Sequence, residues 1–372
     1  MLEMKSKYNT MIYPFDIDSV SLIRHNDIVE DYTFVHAVSP NGWGLTGKDA
    51  GCADDGEPTG LIVESDFNKA LEDCDTVIFV TSSIELDFIN NVYPKIIKAA
   101  ESSKNIVCAI KLEEETLLKV SEICSKNDKF FKYLIDDHKA SKNLLLEKIF
   151  KVDVPIIFVA GLCEQTNKFE VQLNIRKNLM KMGYKVSQIG TRNYCDLMGF
   201  HSFPQFMFEK DFYEWEKVTL FNYYVRKIEI EEEPDVIVIG IPGTTIPFNE
   251  TFPSKFGILA YMVSQAVTPD VTVLTTLYQK GFSKEYFDLM SKVHENKFGY
   301  SIDCYNIANS IFNSEYSRLV EKMQFVTLDY KFISEKIKSY SNLQTPVFNI
   351  LDKNDGKRMT EFLVNKLSEY AV

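Results

Sequence analysis

The run GLCEQTNKFE, from Gly161 to Glu170, carries the chain's most suggestive chemistry. A phosphate cradle needs a glycine leaving a strand, a tight turn, a lysine, and a helix whose first N–H groups face the anion. The backbone donors and the helix dipole hold the phosphate, while the lysine neutralises its outer oxygens. The apolar run VPIIFVA (154–160) reads as a strand covered on both faces, and a helical pattern follows over 168–182, closed by Gly183. Gly161, Thr166, Asn167 and Lys168 are therefore expected to hold a nucleotide phosphate, with ATP or GTP and magnesium as the cofactor. The fit to G-x-x-x-x-G-K is imperfect. The spacing is one residue longer, Thr166-Asn167 replaces the second glycine, and Phe169 stands where Ser or Thr would bind magnesium. The plain alternative is an ordinary strand–helix turn with a surface lysine.

Two further polar loops follow the next strands, at the edge where open α/β sheets bind ligands. The segment GTRNYCDLMGFHSFP (190–204) carries Arg192, Asp196, His201 and Ser202, and is expected to close over nucleotide or substrate. The turn GIPGTT (240–245) offers exposed backbone at Gly243 and Thr244, with no acid at the strand end. Glu164, Glu170 or Asp196 would then have to hold any metal, and these three with His201 are the candidate catalytic groups. Phosphate holding is the firmer expectation and hydrolysis the weaker.

A second lysine loop competes. GWGLTGKD (42–49) fits the motif spacing better, but three glycines and a proline follow where a helix must start. It reads as a flexible glycine-rich loop or plain surface, with Lys48, Asp49, Asp54 and Asp55 facing a domain interface in the first reading. No G-x-G-x-x-G follows the first strand, which argues against a conventional NAD site. Cys163 precedes a helix, where the dipole favours thiolate, yet a small residue filling the turn is the simpler reading. Cys163, Cys195 and His201 lack a metal-site spacing. His25, His36, His138 and His294 read as structural or surface residues, and Asp136–Asp137 and 113–115 as exposed charges.

These residues need a scaffold. A chain of 372 residues is long for one core, so two domains are expected, 1–150 and 151–372. In the first, apolar runs at 10–13, 33–38, 76–81, 105–110 and 131–135 alternate with helical patterns at 67–73 and 86–102. That alternation implies a Rossmann-like parallel sheet. After a polar helix over 139–151, the second domain reads as a P-loop NTPase-like parallel sheet. Its strands are expected at 154–160, 184–189, 235–241, 271–275 and 346–351, with helices at 256–267, 302–340 and 358–370. The acidic run 229–233 reads as a solvated loop. The fold class is α/β in both halves.

A net charge of −12 argues against a broad nucleic-acid or anionic-membrane footprint. Lys48, Lys168, Arg176, Lys177 and Arg192 are the cationic positions to watch if the ligand is a phosphate. No run approaches a membrane span. The start, MLEMKSKYNTMIYPF, lacks an apolar h-region. Seven scattered cysteines without a CxxC pair suit a reducing cytosol, so a cytoplasmic protein is expected.

Taken together, GLCEQTNKFEVQLNIRKNL, GYKVSQIGTRNYCDLMGFHSFPQFMF, VIGIPG and SPNGWGLTGKDAG resemble the clostridial "peptide maturation system protein" family, over nearly the whole chain. Its members occur beside radical-SAM maturases and small cysteine-rich ribosomal peptides. The resemblance implies a role in maturing a ribosomally synthesised, modified peptide, with the precursor peptide or the maturase as partner; self-association is left open. More distantly, the layout is similar to two-domain proteins pairing a Rossmann-like half with a P-loop half. Two functions follow. One is a nucleotide-dependent factor or enzyme. The other is a scaffold for peptide or maturase that keeps the fold and has lost the chemistry, as the missing magnesium hydroxyl and strand-end acid favour.

Overall fold

The computed structural model describes residues 7–135, 148–340, 343 and 345–370. Asp136, Asp137, His138 and positions 139–147 of the expected polar helix lie outside the described residues, and 148–151 are irregular. The chain forms two compact units, Met1–Asp136 with Arg192–Ser202, and Asp137–Thr191 with Phe203–Val372. Among the described residues no helix is long and apolar enough to cross a membrane.

The first unit is built on β1 (Tyr8–Tyr13), β2 (Tyr32–Val38), β3 (Val63–Glu64), β4 (Thr76–Phe79), β5 (Asn105–Cys108) and β6 (Phe131–Tyr133). Their order is β3-β2-β1-β4-β5-β6, all parallel, which is the doubly wound arrangement. Helices α1 (Val20–Arg24), α2 (Phe67–Glu72), α3 (Tyr93–Glu101) and α4 (Glu114–Lys126) accompany them. On one face Met11, Val77, Phe79 and Ile106 pack with Phe67, Ile96 and Val120. The alternate residues Ile12, Ile78 and Val107 are equally buried. Burial on both faces explains why these strands read as continuous apolar runs. The two-residue β3 is too short to leave a pattern, and it was not expected.

The second unit contains β7 (Ile156–Gly161) and β8 (Val186–Gly190); the short β9 (His201–Ser202) lies in the 192–202 segment. Then follow β10 (Val236–Gly240), β11 (Val271–Leu277), β12 (Cys304–Ala308), an antiparallel ribbon of β13 (Ser310–Phe312) and β14 (Phe325–Thr327), and β15 (Val347–Phe348). Within this unit the parallel strands run β15-β12-β11-β7-β10-β8, with β7 central. The helices are α5 (Lys168–Lys181), α6 (Glu214–Glu232), α7 (Ile258–Ala266), α8 (Lys284–Phe298), α9 (Ser314–Leu319), α10 (Tyr330–Ile337) and α11 (Lys353–Tyr370). Along β7 the side chains alternate between two cores. Ile156, Phe158 and Ala160 join Phe221, Val263 and Leu274, whereas Ile157 and Val159 join Val171, Ile175 and Met359. Each such buried aliphatic or Phe side chain stabilises the fold by about 1.5–3 kcal/mol relative to exposure.

Two local expectations fail. The region 302–340 is not one helix but β12, β13, α9, β14 and α10 in turn. Cys304–Ala308 is buried throughout, so it shows no period-two alternation, and a short apolar run of this kind is ambiguous between strand and helix. The acidic run 229–233 is not a solvated loop. It completes α6, and the buried Glu229 accepts the N–H groups of Asp153 (2.6 Å) and Val154 (3.0 Å) while pairing with Arg226.

Candidate functional site

Strand β7 delivers Gly161 to the carboxyl edge of the second sheet, between β11 and β10. The strand end is clamped from both sides. Leu162 N donates to Thr275 O (2.9 Å), and Thr245 N donates to Gly161 O (3.0 Å). A side chain at this point would require its neighbours to shift. A Cβ on Gly161 would stand 2.6 Å from Lys168 Cδ, 2.8 Å from Thr166 Oγ1 and 3.0 Å from Thr275 Oγ1.

The turn then closes through left-handed backbone at Gln165 (φ 54°) and Asn167 (φ 58°). Thr166 is buried, its hydroxyl 2.7 Å from that of Thr275 and 3.2 Å from the Cys163 carbonyl. Asn167 takes the N-cap place of α5 without making a side-chain cap. Its amide instead donates to Asn309 Oδ1 (2.9 Å), and Asn309 in turn donates to Leu328 O (3.0 Å). The first N–H groups of a helix have no intrahelical partner, which is why helix N-termini favour anions.

Lys168 is only 8% exposed. Its ammonium donates to the Gly243 carbonyl, lies 3.4 Å from the Cys163 carbonyl, and stands 3.6 Å from Glu164 Oε2, on a side chain that is 62% exposed. A nearly buried cation served mainly by neutral carbonyls gains from a fuller counter-charge, which a phosphate would supply.

The turn after β10 is braced from behind. Gly243 has φ 76°, a conformation that favours glycine. The Thr244 hydroxyl donates to Ser254 O (2.6 Å). Thr245 is fixed by α8: its hydroxyl lies 2.9 Å from His294 Nε2, and its carbonyl accepts from Lys297 (2.9 Å). His294 Nδ1 sits 2.7 Å from Met290 O, so that nitrogen carries the proton and Nε2 accepts from Thr245. Burial pushes His294 down to about 4, which keeps the ring neutral. Ser254, Lys255 and Phe256 are all left-handed, at about 1–2 kcal/mol of strain each.

The expected residues divide between the units. Gly161, Glu164, Thr166, Asn167, Lys168, Glu170, Gly243 and Thr244 lie in the second. Glu170 is buried and accepts from Asn174 Nδ2 (2.9 Å), one helical turn along. Arg192, Asp196 and His201 lie in the first unit. There Arg192 pairs with Asp18 (2.9 Å), the Tyr194 hydroxyl donates to Asp18 O (2.6 Å), and Asp196 accepts from Ser202 (3.2 Å). Burial raises the Asp196 carboxyl above its usual range, against the Ser202 bond and the His201 charge. Cys163 is a thiol rather than the thiolate a helix dipole favours, because burial pushes it up to about 12. Among the described residues no group of three His, Cys, Asp or Glu is placed to hold a metal. Thr275, Asn309, His294 and Lys297 were not expected here. Only Thr275-Thr276, polar inside a buried strand, left a trace in the sequence.

These residues fit a phosphate group better than a magnesium ion. Phe169 is buried where a metal-binding hydroxyl is needed, and the Thr166 hydroxyl is engaged by Thr275.

The competing loop is organised around its own acid. Asp49 accepts the N–H groups of Gly51 (2.7 Å), Thr59 (2.8 Å) and Gly60 (2.7 Å), with the Thr59 hydroxyl at 3.1 Å. These bonds hold its carboxyl below the usual range even though partial burial raises it. Asp54 pairs with Arg24 at 2.5 Å. No α-helix follows; residues Ala50–Ala53 form a single 3₁₀ turn.

No family model matches the chain, and no curated protein matches it. Among solved structures it is similar in fold to a DUF1611 family protein from Anabaena variabilis, with a TM-score of 0.62 at 10% identity. That alignment covers 96% of this chain and 100% of the other. A homoserine dehydrogenase from S. aureus aligns at TM-score 0.27 and 16% identity, over 35% of this chain and 33% of its own. An amine dehydrogenase from Mycobacterium smegmatis aligns at 0.29 and 14%, over 44% and 50%. The likeness along the whole length is one of fold: two α/β parts, each on a parallel sheet.

Proposed function

We propose that the second unit binds the phosphate groups of a nucleotide, ATP or GTP, in the maturation of a ribosomally synthesised, modified peptide. The observation that carries the binding part is Lys168. Its nearly buried ammonium sits at the start of α5, where Asn167 makes no side-chain cap, and is held by the Gly243 and Cys163 carbonyls. An incoming phosphate takes the α5 N–H groups and draws Lys168 away from Gly243. Glu164 is an exposed carboxylate beside Lys168. The peptide role rests on the family resemblance of the 161–208 segment, with the precursor peptide or the radical-SAM maturase as partner.

A second reading has its own support. Strand β10 is VIVIG, without a carboxylate at its end, and Phe169 replaces the metal-binding hydroxyl. A scaffold that binds peptide or maturase and performs no hydrolysis fits those two positions. Isothermal titration of ATP, GTP and their diphosphates, with and without magnesium, against wild type and Lys168→Ala tests both. Binding that disappears in Lys168→Ala supports the cradle, and indifference to magnesium would favour binding without turnover. Absence of binding to wild type removes the nucleotide reading.

A further inference from the structure

A cleft of about 560 Å³ opens in the first unit, remote in sequence from the phosphate cradle. Its walls come from the segments that follow β2 and β3, from the start of α2 and from α3. The polar groups facing it include Asn41, Ser65, Asp66, Asn68, Lys95 and Lys98. The segments after β2 and β3 put it at the carboxyl edge of the doubly wound sheet, where such sheets bind ligands.

The charges of this cleft do not balance internally. Lys95 and Lys98 sit one α3 turn apart, and among the described residues neither has a carboxylate within ion-pair distance. Asp66 is the acid of the wall, but its Oδ1 accepts the α2 N–H groups of Asn68 (3.0 Å) and Lys69 (3.1 Å). Lys95 is half-buried. Its ammonium has one hydrogen-bond acceptor, the Asn91 carbonyl at 3.0 Å, and lies 4.9 Å from the centre of the Tyr13 ring and 5.9 Å from that of Phe67. A lysine with three donors and one acceptor has two donors to give. Burial holds its pKa below the ordinary lysine value, so a counter-anion would stabilise the charged form.

We infer that this cleft binds a small organic oxyanion, a carboxylate or phosphate metabolite. Lys95 and Lys98 pair with its charge, and Asn41, Ser65 and Asn68 supply neutral hydrogen bonds. The Tyr13 and Phe67 rings fix the Lys95 stem, so one cation is preorganised, while the exposed Lys98 closes on the ligand. The site is independent of the phosphate cradle and does not rest on the nucleotide reading.

Calorimetric titration of the full chain with citrate and with pyrophosphate tests it, the two probes separating carboxylate from phosphate chemistry. The variants are Lys95→Met with Lys98→Gln, which keeps the packing on Tyr13 and Phe67, and Lys168→Ala as the background. In a Lys168→Ala background, which removes the cradle as a second phosphate seat, at least one probe should bind, and it should weaken by roughly tenfold or more when Lys95 and Lys98 are also changed. If the double variant fails to fold, Lys98→Gln alone, on an exposed side chain, should still weaken binding. The inference is overturned if neither probe binds in the Lys168→Ala background, or if binding there survives the Lys95 and Lys98 changes.

Discussion

The chain contains two glycine-bearing loops with a lysine, and the loop that better fits the motif spacing is the one whose surrounding backbone donors are already engaged. In GWGLTGKD, Lys48 is exposed, and the surrounding backbone donors are taken: Gly47 N by Val63 O, Ala50 N by Leu61 O, and three more by Asp49. A carboxylate already sits where a phosphate would have to go. In GLCEQTNK the spacing is irregular, yet a helix of fourteen residues follows, its N-cap side chain is turned to Asn309, and the lysine is buried. A following helix and a buried cation make the difference, and neither property is a matter of spacing.

That contrast breaks most sharply at the two lysines. Lys168→Ala should weaken nucleotide binding about a hundredfold, near 3 kcal/mol, while Lys48→Ala leaves it unchanged. Equal losses would mean that the anion does not sit at α5.

The next effect concerns pH and sets the two units against each other. His294 has an ordinary value of 6.5 and a folded value of about 4. The stability due to its neutral form is complete above pH 6.5 and is lost as pH falls towards 4, by up to about 3 kcal/mol. Asp16 behaves oppositely. Burial and the neighbouring Asp18 charge raise it from 3.8 to about 6, so its contribution is lost as pH rises across that interval. Hydrogen exchange read peptide by peptide between pH 4 and 6.5 should show the second unit gaining protection and the first losing it. His294→Gln should flatten the former trend and Asp16→Asn the latter.

Asp49→Ala should cost about 2 kcal/mol, because several N–H groups lose a charged acceptor. It should lower the melting temperature by roughly 4–8 °C. If the nucleotide is held at α5 and not at this loop, the variant should still bind it like wild type. Smallest is Gly161→Ala, at about 1 kcal/mol of stability, since the new Cβ meets the flexible Lys168 Cδ first. The displaced ammonium should nevertheless show as weaker phosphate binding, which a purely structural glycine would not produce.

Much of the fold was legible in the sequence for a definite reason. Strands such as Ile156–Gly161 and Val236–Gly240 are buried on both faces and must be apolar throughout, and the helix after Gly161 ends at Gly183 with φ 94°. These are local constraints, and local composition records them. The same reasoning failed at Cys304–Ala308, where burial erased the periodicity, and at Glu229, whose charge is satisfied by N–H groups 75 and 76 residues away. The segment 192–202 shows the limit most clearly: its polar residues read as a loop closing over a ligand, and nothing local to them records that Arg192 and Tyr194 are anchored on Asp18.

By itself, then, the sequence determined two parallel α/β sheets and a strand–glycine–lysine–helix unit at the start of the second. Tertiary structure decided which lysine is buried at the start of a helix, that its ammonium donates to the Gly243 carbonyl, and that His294 and Lys297 brace the turn behind it. The physical reason is range. Propensity and periodicity act between neighbours in the chain, whereas the contacts that make donors free or engaged join residues far apart in sequence, from Thr275 at Thr166 to Asn309 at Asn167.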